Sequence, residues 1–590
     1  MRRPTIAGRT SANPEDRPVT PTGPVPVPPA SPGHAGARPA AWIRRLGPAR
    51  AVVRQSLPYL ATFFALAVAV QLVVGAYTSE LGHFSDESAH FMNALLLRDY
   101  LRQDLGQDPI RFAQQYYYSY PKIAPGMWPP LFHGVLGLLM LPGWSPQTIA
   151  LLLIAFATAW TAWRLYRILT YLTTTSVALG LGVLFVMTPA VVNLTSAVML
   201  DIVVAAFALE ATFWLALFFE WGLTRHAALF GLFAAGGCLT KGNGLAILLM
   251  PALMLIFTRR FSLLRRPGLY LATAIVLVVA GPLSTASFYF DATIGDFRMV
   301  NWADITARLD VYTNYVRTEL GLPLLALAVA GLTSGAVETN WKTDRHRWAF
   351  IPSLVALVVA AALFHLLNPH KVISGRYMTL AIAPVIGLIP NGIKWLLSFI
   401  QRPHWVGPAR IGLVAVLVVM ASLNISAWEK RRPMGFHDAA SFIADHGGLG
   451  NRRMLVVSDE FGEGALIADV AARHPMPPAT VIRSSKVIAS DDWAGQNFQL
   501  RFSSSQDLIK ELEDLHVEFV VIDRSLEANK HPLWPPTQTL LTEQADRLEL
   551  AYTATRERPV VVYRLKYQTA GPPKPLDIVV SSPFGKLMAK

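Results

Sequence analysis

Between Leu57 and residue 428 the chain carries about eleven apolar runs, most of them long enough to cross a bilayer as a helix. No soluble core absorbs so many. The first is Leu57 to Tyr77, and the others fall at about 146–164, 176–191, 195–219, 227–239, 242–257, 268–290, 321–337, 349–367, 377–398 and 411–428. Two are short, because Thr240-Lys241-Gly242-Asn243 interrupts the run from Ala227 to Phe257 and predicts a turn at the membrane face. With 53% hydrophobic and 15% charged residues over 590 positions, the composition excludes an ordinary soluble protein of this size. The expected fold class is a polytopic α-helical membrane protein.

The net charge of +13 does not imply nucleic acid, since the excess sits in the N-terminal tail and in short loops between apolar runs. Loops such as Arg259-Arg260-Phe-Ser-Leu-Leu-Arg265-Arg266 mark a cytoplasmic side. Counted from there, the N-terminus is cytoplasmic, and residues 78–145, 291–320, 368–376 and everything after about 429 lie outside a plasma (inner) membrane. The single cysteine, Cys238, excludes an intrachain disulfide framework. Residues 1–54 are rich in Pro, Ala and Arg and are expected to be a disordered cytoplasmic tail. Residues 55–429 form the membrane domain, with 78–145 as a structured outer loop that holds a surface helix from Asp86 to Leu105. Residues 430–567 alternate strand-like and helical runs, which predicts a small soluble α/β domain, and 568–590 form a flexible tail.

A few polar residues stand out against this apolar background. Asp86 and Glu87 follow the first span in Ser85-Asp86-Glu87-Ser88-Ala89-His90. Two readings are open for them: acids in the first turn of a helix capped by Ser85, or a carboxylate at the membrane surface acting as general base. Asp201 lies near the outer end of an apolar segment, where an ionisable group calls for a functional reason. Glu210, nine residues on, faces the opposite side of the same helix and is read as a packing residue. Lys122, Lys241 and the cluster His370-Lys371 to Arg376 are cations on the expected outer face, placed to hold a phosphate or to anchor lipid headgroups. His83, His90 and His133 share a loop without metal-ligand spacing. Phe461-Gly462-Glu463-Gly464 lacks the spacing of a phosphate loop, and Asp459-Glu460 reads as a solvated loop end.

These residues together resemble the GT-C superfamily of membrane glycosyltransferases, in particular the protein O-mannosyltransferases and lipid A aminoarabinose transferases. The resemblance rests on Phe84-Ser-Asp86-Glu87-Ser-Ala-His-Phe, Tyr118-Ser-Tyr-Pro121-Lys122 before Trp128-Pro-Pro130-Leu, Met199-Leu-Asp201, Leu239-Thr-Lys241-Gly, and Gly375-Arg376-Tyr377-Met with Pro384 downstream. It covers about residues 55–430. It implies Asp86 as catalytic base with Glu87 its neighbour, Asp201 as the second acidic position, and Lys122, Arg376 and Lys241 as the cations for a donor phosphate. In the family the lysine often directly precedes Pro-Pro, whereas here Ile-Ala-Pro-Gly-Met-Trp intervenes. The implied reaction is inverting transfer of a sugar from a polyprenyl-phosphate donor to an extracytoplasmic glycan, lipid or protein. No obligate metal or other cofactor is expected, with a divalent ion as the alternative. A transporter or flippase for a lipid-linked or anionic solute is the competing reading, although it should show internal repeats and mid-membrane charges.

Overall fold

The computed structural model describes residues 47–576, apart from 295–298, 339–344, 370–372, 424–427, 474–477, 491–497 and 568. His370 and Lys371, most of the N-terminal tail and most of the C-terminal tail therefore lie outside the described residues. Among the described residues seven helices are long and apolar enough to cross a membrane: Leu57–Val74, Pro146–Leu169, Asp201–Trp221, Trp302–Ser334, Ala349–Leu367, Gly375–Leu397 and His404–Ala421. Two bent pairs raise the count to nine, namely Thr175–Met187 with Pro189–Thr195 and Pro267–Val279 with Gly281–Tyr289, bent by 63° and 52°. Each bend has a local cause. A proline at the second helix's start removes an N–H from the ladder at Pro189, and Gly281-Pro282 does the same at the other.

The two runs that separate nine from the expected eleven are the short pair flanking Lys241. Thr224–Cys238 is one helix, and Gly242–Leu249 is 3₁₀ before Met250–Thr258 resumes as α-helix. The turn predicted at Thr240–Asn243 is present, and Lys241 sits in it with extended backbone. Three boundaries differ from expectation. The first helix starts at Gly47 rather than after 54. The stretch 302–320, assigned to an outer loop, is helical and continues across a kink at Gly321 (φ 76°). The run 195–219 is two elements, for Ser196 closes one short helix and Asp201 opens the next.

Among the described residues the C-terminal part holds seven strands, β1 (Arg453–Val457), β2 (Thr480–Arg483), β3 (Ala489–Ser490), β4 (Gln499–Leu500), β5 (Phe519–Asp523), β6 (Leu548–Thr555) and β7 (Pro559–Leu565). Five of them form one mixed sheet in the order β2-β1-β5-β7-β6, with β2, β1 and β5 parallel and β7 antiparallel to both β5 and β6. A small C-terminal sheet region is thus present, although β2 and β6 carried no clear signal in the sequence. The helix Glu460–Ala472 follows β1 and packs against the helix Glu87–Gln103 of the membrane part.

Two polar anchors join the C-terminal part to the membrane part. Glu80 accepts from the backbone N–H groups of Met434 (2.6 Å), Gly435 (2.9 Å) and His437 (3.0 Å). Those donors precede or open the helix Phe436–Asp445, so a buried carboxylate satisfies amides that would otherwise be orphaned. Arg431 donates to Ser196 Oγ (3.1 Å) and to the Asn193 carbonyl (2.8 Å), while its own N–H reaches the Val74 carbonyl (2.7 Å). Gly82 and Gly464 are close-approach positions. A Cβ at 82 would stand 2.9 Å from the Phe461 carbonyl oxygen, and one at 464 would collide with Ser88.

Candidate active site

The helix Glu87–Gln103 begins where the chain turns back after the first span. Asp86, not Ser85, takes its N-cap position, yet the Asp86 carboxylate makes no capping bond. The first turn is held instead by main chain, with His90 N donating to the Asp86 carbonyl (3.0 Å). The carboxylate is turned to Arg376, whose Nη2 donates to Oδ2 at 2.6 Å. Capping therefore does not account for Asp86. Burial pushes its pKa up, but Arg376, His90 and Lys241 outweigh that and bring it down to about 2. Asp86 is thus a firmly ionised carboxylate bound to a guanidinium across 290 positions of sequence.

A second pair stands beside the first. Lys241 Nζ reaches both oxygens of Asp201 at 3.0 Å, and the carboxylate is 1% exposed. Asp201 is the first residue of its helix, where a negative charge meets the positive end of the macrodipole. The Lys241 turn is held to the loop 78–145 by Leu131 N donating to the Leu239 carbonyl (3.0 Å). Tyr377 lies under both cations, its ring 5.6 Å from Lys241 Nζ and 5.9 Å from the Arg376 guanidinium carbon. Phe84 faces Arg376 from another side at 5.8 Å. The result is an alternating group of two carboxylates and two cations at one end of the helical bundle.

Glu87 has a different position. It is 1% exposed and accepts from His83 N (3.0 Å) and Val198 N (2.9 Å). It thereby ties the loop 78–145 to the turn before Asp201, and burial raises its pKa. Lys122 is fully buried, and its Nζ donates to the Glu460 carbonyl (3.1 Å) under the C-terminal domain. Burial brings its pKa down to about 7, with Arg483 adding to the effect and Glu463 and Asp86 opposing it. Asn93 holds the adjoining loop through Ala124, accepting from its N–H (2.9 Å) and donating to its carbonyl (3.3 Å). Asp86, Arg376, Asp201 and Lys241 are therefore brought together, while Lys122 lies to one side and Glu87 faces the backbone.

Glu210 is a packing residue, as expected. It accepts from Arg164 Nε (2.5 Å), Trp160 Nε1 (3.0 Å) and Trp214 Nε1 (2.8 Å), away from Asp201. Asp459 is no solvated loop end. It caps the helix Glu460–Ala472 by accepting from Gly462 N (2.9 Å) and pairs with Arg558 (2.8 Å). Phe461–Gly464 belong to that helix rather than to a phosphate loop.

Sequence reasoning missed two features. Glu463 is completely enclosed by Arg483 Nε (2.7 Å), Ser484 Oγ (2.9 Å), Ser485 N (2.8 Å) and Ser485 Oγ (2.7 Å), beside the Lys122 segment. His90 lies one helical turn after Asp86, with its Nδ1 3.3 Å from His133 Nε2. The i, i+4 spacing from Asp86 was a readable signal for it. Among the described residues no three His, Cys, Asp or Glu side chains gather as a metal site.

No protein-family profile matches the sequence, and no curated protein matches it. Solved structures do. ArnT from Cupriavidus metallidurans in the apo state superposes with a TM-score of 0.53 at 14% identity, over 86% of this chain and 98% of that one. The same protein bound to undecaprenyl phosphate gives 0.54 at 14% identity, over 88% and 99%. The oligosaccharyltransferase of Archaeoglobus fulgidus in the apo form gives 0.51 at 11% identity, over 88% and 75%. These are GT-C glycosyltransferases, and at such identities the likeness is one of fold. The chain shares the fold of these structures, and its apolar helices make it a membrane protein.

Proposed function

We propose that the chain is an inverting glycosyltransferase that takes a sugar from a polyprenyl-phosphate donor and places it on a hydroxyl of an extracytoplasmic glycan, lipid or protein. The observation that carries this is the group Asp86–Arg376 and Asp201–Lys241, two acid–base pairs from four distant parts of the chain at one end of the bundle. ArnT with undecaprenyl phosphate, whose fold this chain shares, supports a lipid phosphate as the donor's carrier.

The chemistry needs a cationic seat for the leaving phosphate and a base for the attacking hydroxyl. Arg376 and Lys241 supply the seat, while Lys122, sealed under the C-terminal domain, stands outside it. The acceptor oxygen forms a bond to the anomeric carbon from the face opposite the phosphate. The carbon–oxygen bond to phosphate breaks with its electron pair, polyprenyl phosphate leaves, and the hydroxyl proton passes to Asp86. At a pKa of about 2 the resting carboxylate is a weak base. A donor phosphate that takes Arg376 from it removes the strongest cation acting on it and raises its basicity where the reaction needs it. Asp201 keeps Lys241 charged and in place, and Glu87 holds the loop that carries Asp86. Each of the two carboxylates at the centre already faces a cation, so the reaction is proposed without an obligate metal.

The test is sugar transfer in proteoliposomes from radiolabelled undecaprenyl-phosphate hexoses and pentoses to a cell-envelope fraction. Label recovered covalently in the envelope material is the expected result. Label that crosses the bilayer still attached to its lipid overturns the reading in favour of a flippase.

A further inference from the structure

Resting on that reading, we infer that His365 is a positioning residue for the donor phosphate: its ring is the platform that orients Tyr377 beneath the two cations of the seat. His365 lies near the end of the helix Arg345–Leu367 and is buried. Its ring stacks on Tyr377 with centroids 5.2 Å apart and planes only 14° from parallel. Tyr377 is the ring that meets Lys241 Nζ at 5.6 Å and the Arg376 guanidinium carbon at 5.9 Å. A ring attracts a cation through its face, so the tilt of Tyr377 decides where both cations rest. The stacked neighbour fixes that tilt.

Both nitrogens of His365 are buried without a hydrogen-bond partner among the described residues. Packing rather than hydrogen bonding therefore orients its ring, and the backbone that bears it sets its place. One face of the helix Trp302–Glu338 holds that backbone, through Arg308, Tyr312 and Tyr315 at helical spacing. Arg308, itself buried, donates from Nη1 to the Leu366 carbonyl (3.1 Å) and to the Asn368 carbonyl. These lie at the C-terminal end of the His365 helix, where carbonyls lack an intrahelical partner and a cation suits the dipole. Tyr312 meets the His365 ring edge-on, with centroids 6.1 Å apart. Tyr315 lies against Gly375, where a Cβ would stand 2.6 Å from its ring, so the residue before Arg376 is held to the same helix face. What His365 supplies to this arrangement is a flat ring. A phenyl group supplies the same with no buried nitrogens to desolvate, whereas alanine leaves a gap under Tyr377.

The experiment measures undecaprenyl phosphate affinity, apparent KM for the envelope fraction and the thermal unfolding midpoint in detergent. The proteins compared are wild type, His365→Ala, His365→Phe, Tyr377→Leu and the double variant His365→Ala/Tyr377→Leu. His365→Ala should weaken undecaprenyl phosphate binding about tenfold, the scale of a desolvated cation–π contact, with KM for the envelope fraction unchanged. His365→Phe should restore wild-type affinity. The double variant should bind no more weakly than Tyr377→Leu, because one ring acts through the other. A merely structural His365 would lower the unfolding midpoint in the Ala variant and leave its affinity at the wild-type value, and that result overturns the inference. Affinity lost equally in the Phe and Ala variants overturns it too, since the nitrogens and not the ring would then be at work. Losses that multiply in the double variant do the same. A wild type that shows the predicted affinities yet transfers no sugar overturns the glycosyltransferase reading alone, and a wild type without affinity for undecaprenyl phosphate overturns both.

Discussion

At the scale of single residues the site works by pairing. Four largely buried ionisable groups share the site, and each carboxylate has a cation within 3.0 Å. Lys122 differs, since it is sealed beneath the C-terminal domain, where its Nζ donates to the Glu460 carbonyl. Its pKa falls from the ordinary lysine value of 10.5 to about 7 on folding, chiefly through burial. Between those values the unfolded chain binds a proton that the folded chain does not, so stability rises with pH. The contribution is complete above about 10.5 and is lost as pH falls through about 7. Thermal unfolding in detergent should therefore shift upward between pH 7 and 10 in the wild type. Lys122→Met should flatten that rise; an identical slope in both proteins would show that Lys122 is solvated. Some of this was legible in the sequence, because an Asp or Lys in an apolar context stands out. The pairings were not, since Asp86 and Arg376 are 290 positions apart and Asp201 and Lys241 are 40 apart. Distance along the chain carries no sign of which acid meets which base.

At the scale of elements, the helix Glu87–Gln103 is the platform, and it is clamped between the membrane helices and the helix Glu460–Ala472. The clamp depends on Gly464, where the two helices meet at Ser88 and a Cβ would stand 3.1 Å from Lys122 Cε. Gly464→Val should force them apart, at a cost of about 1–3 kcal/mol for overpacking. Faster proteolysis after residue 430 and a lower rate of sugar transfer are the expected outcomes. Normal protease resistance and activity would mean that the C-terminal domain is only tethered. The helix itself was foreseeable from its apolar spacing, but its cap was misread. Ser85 is a good cap by type, yet the turn closes on Asp86 main chain and leaves the carboxylate for Arg376. The spans show a related limit. Hydropathy registers the length of an apolar run, and does not register that Pro189 or Gly281-Pro282 bends it.

At the scale of the whole molecule, the fold brings the loop 78–145, the turn at Lys241, the helix that opens at Asp201 and the segment at Arg376 together, and the mixed sheet domain covers part of them. Glu80 and Arg431 join that domain to the bundle through main-chain partners. Such contacts have no residue-type signature, which is why the domain was foreseen from the sequence and its docking was not. The central claim is that Asp86 takes the proton from an acceptor hydroxyl while the cations hold the phosphate. Its most direct test is turnover by Asp86→Asn in proteoliposomes, with undecaprenyl phosphate affinity measured on the same preparation. The account predicts a loss of transfer of at least about a hundredfold, the usual contribution of a general base, with affinity for undecaprenyl phosphate retained or increased because Arg376 is released. Turnover equal to wild type in Asp86→Asn would contradict it.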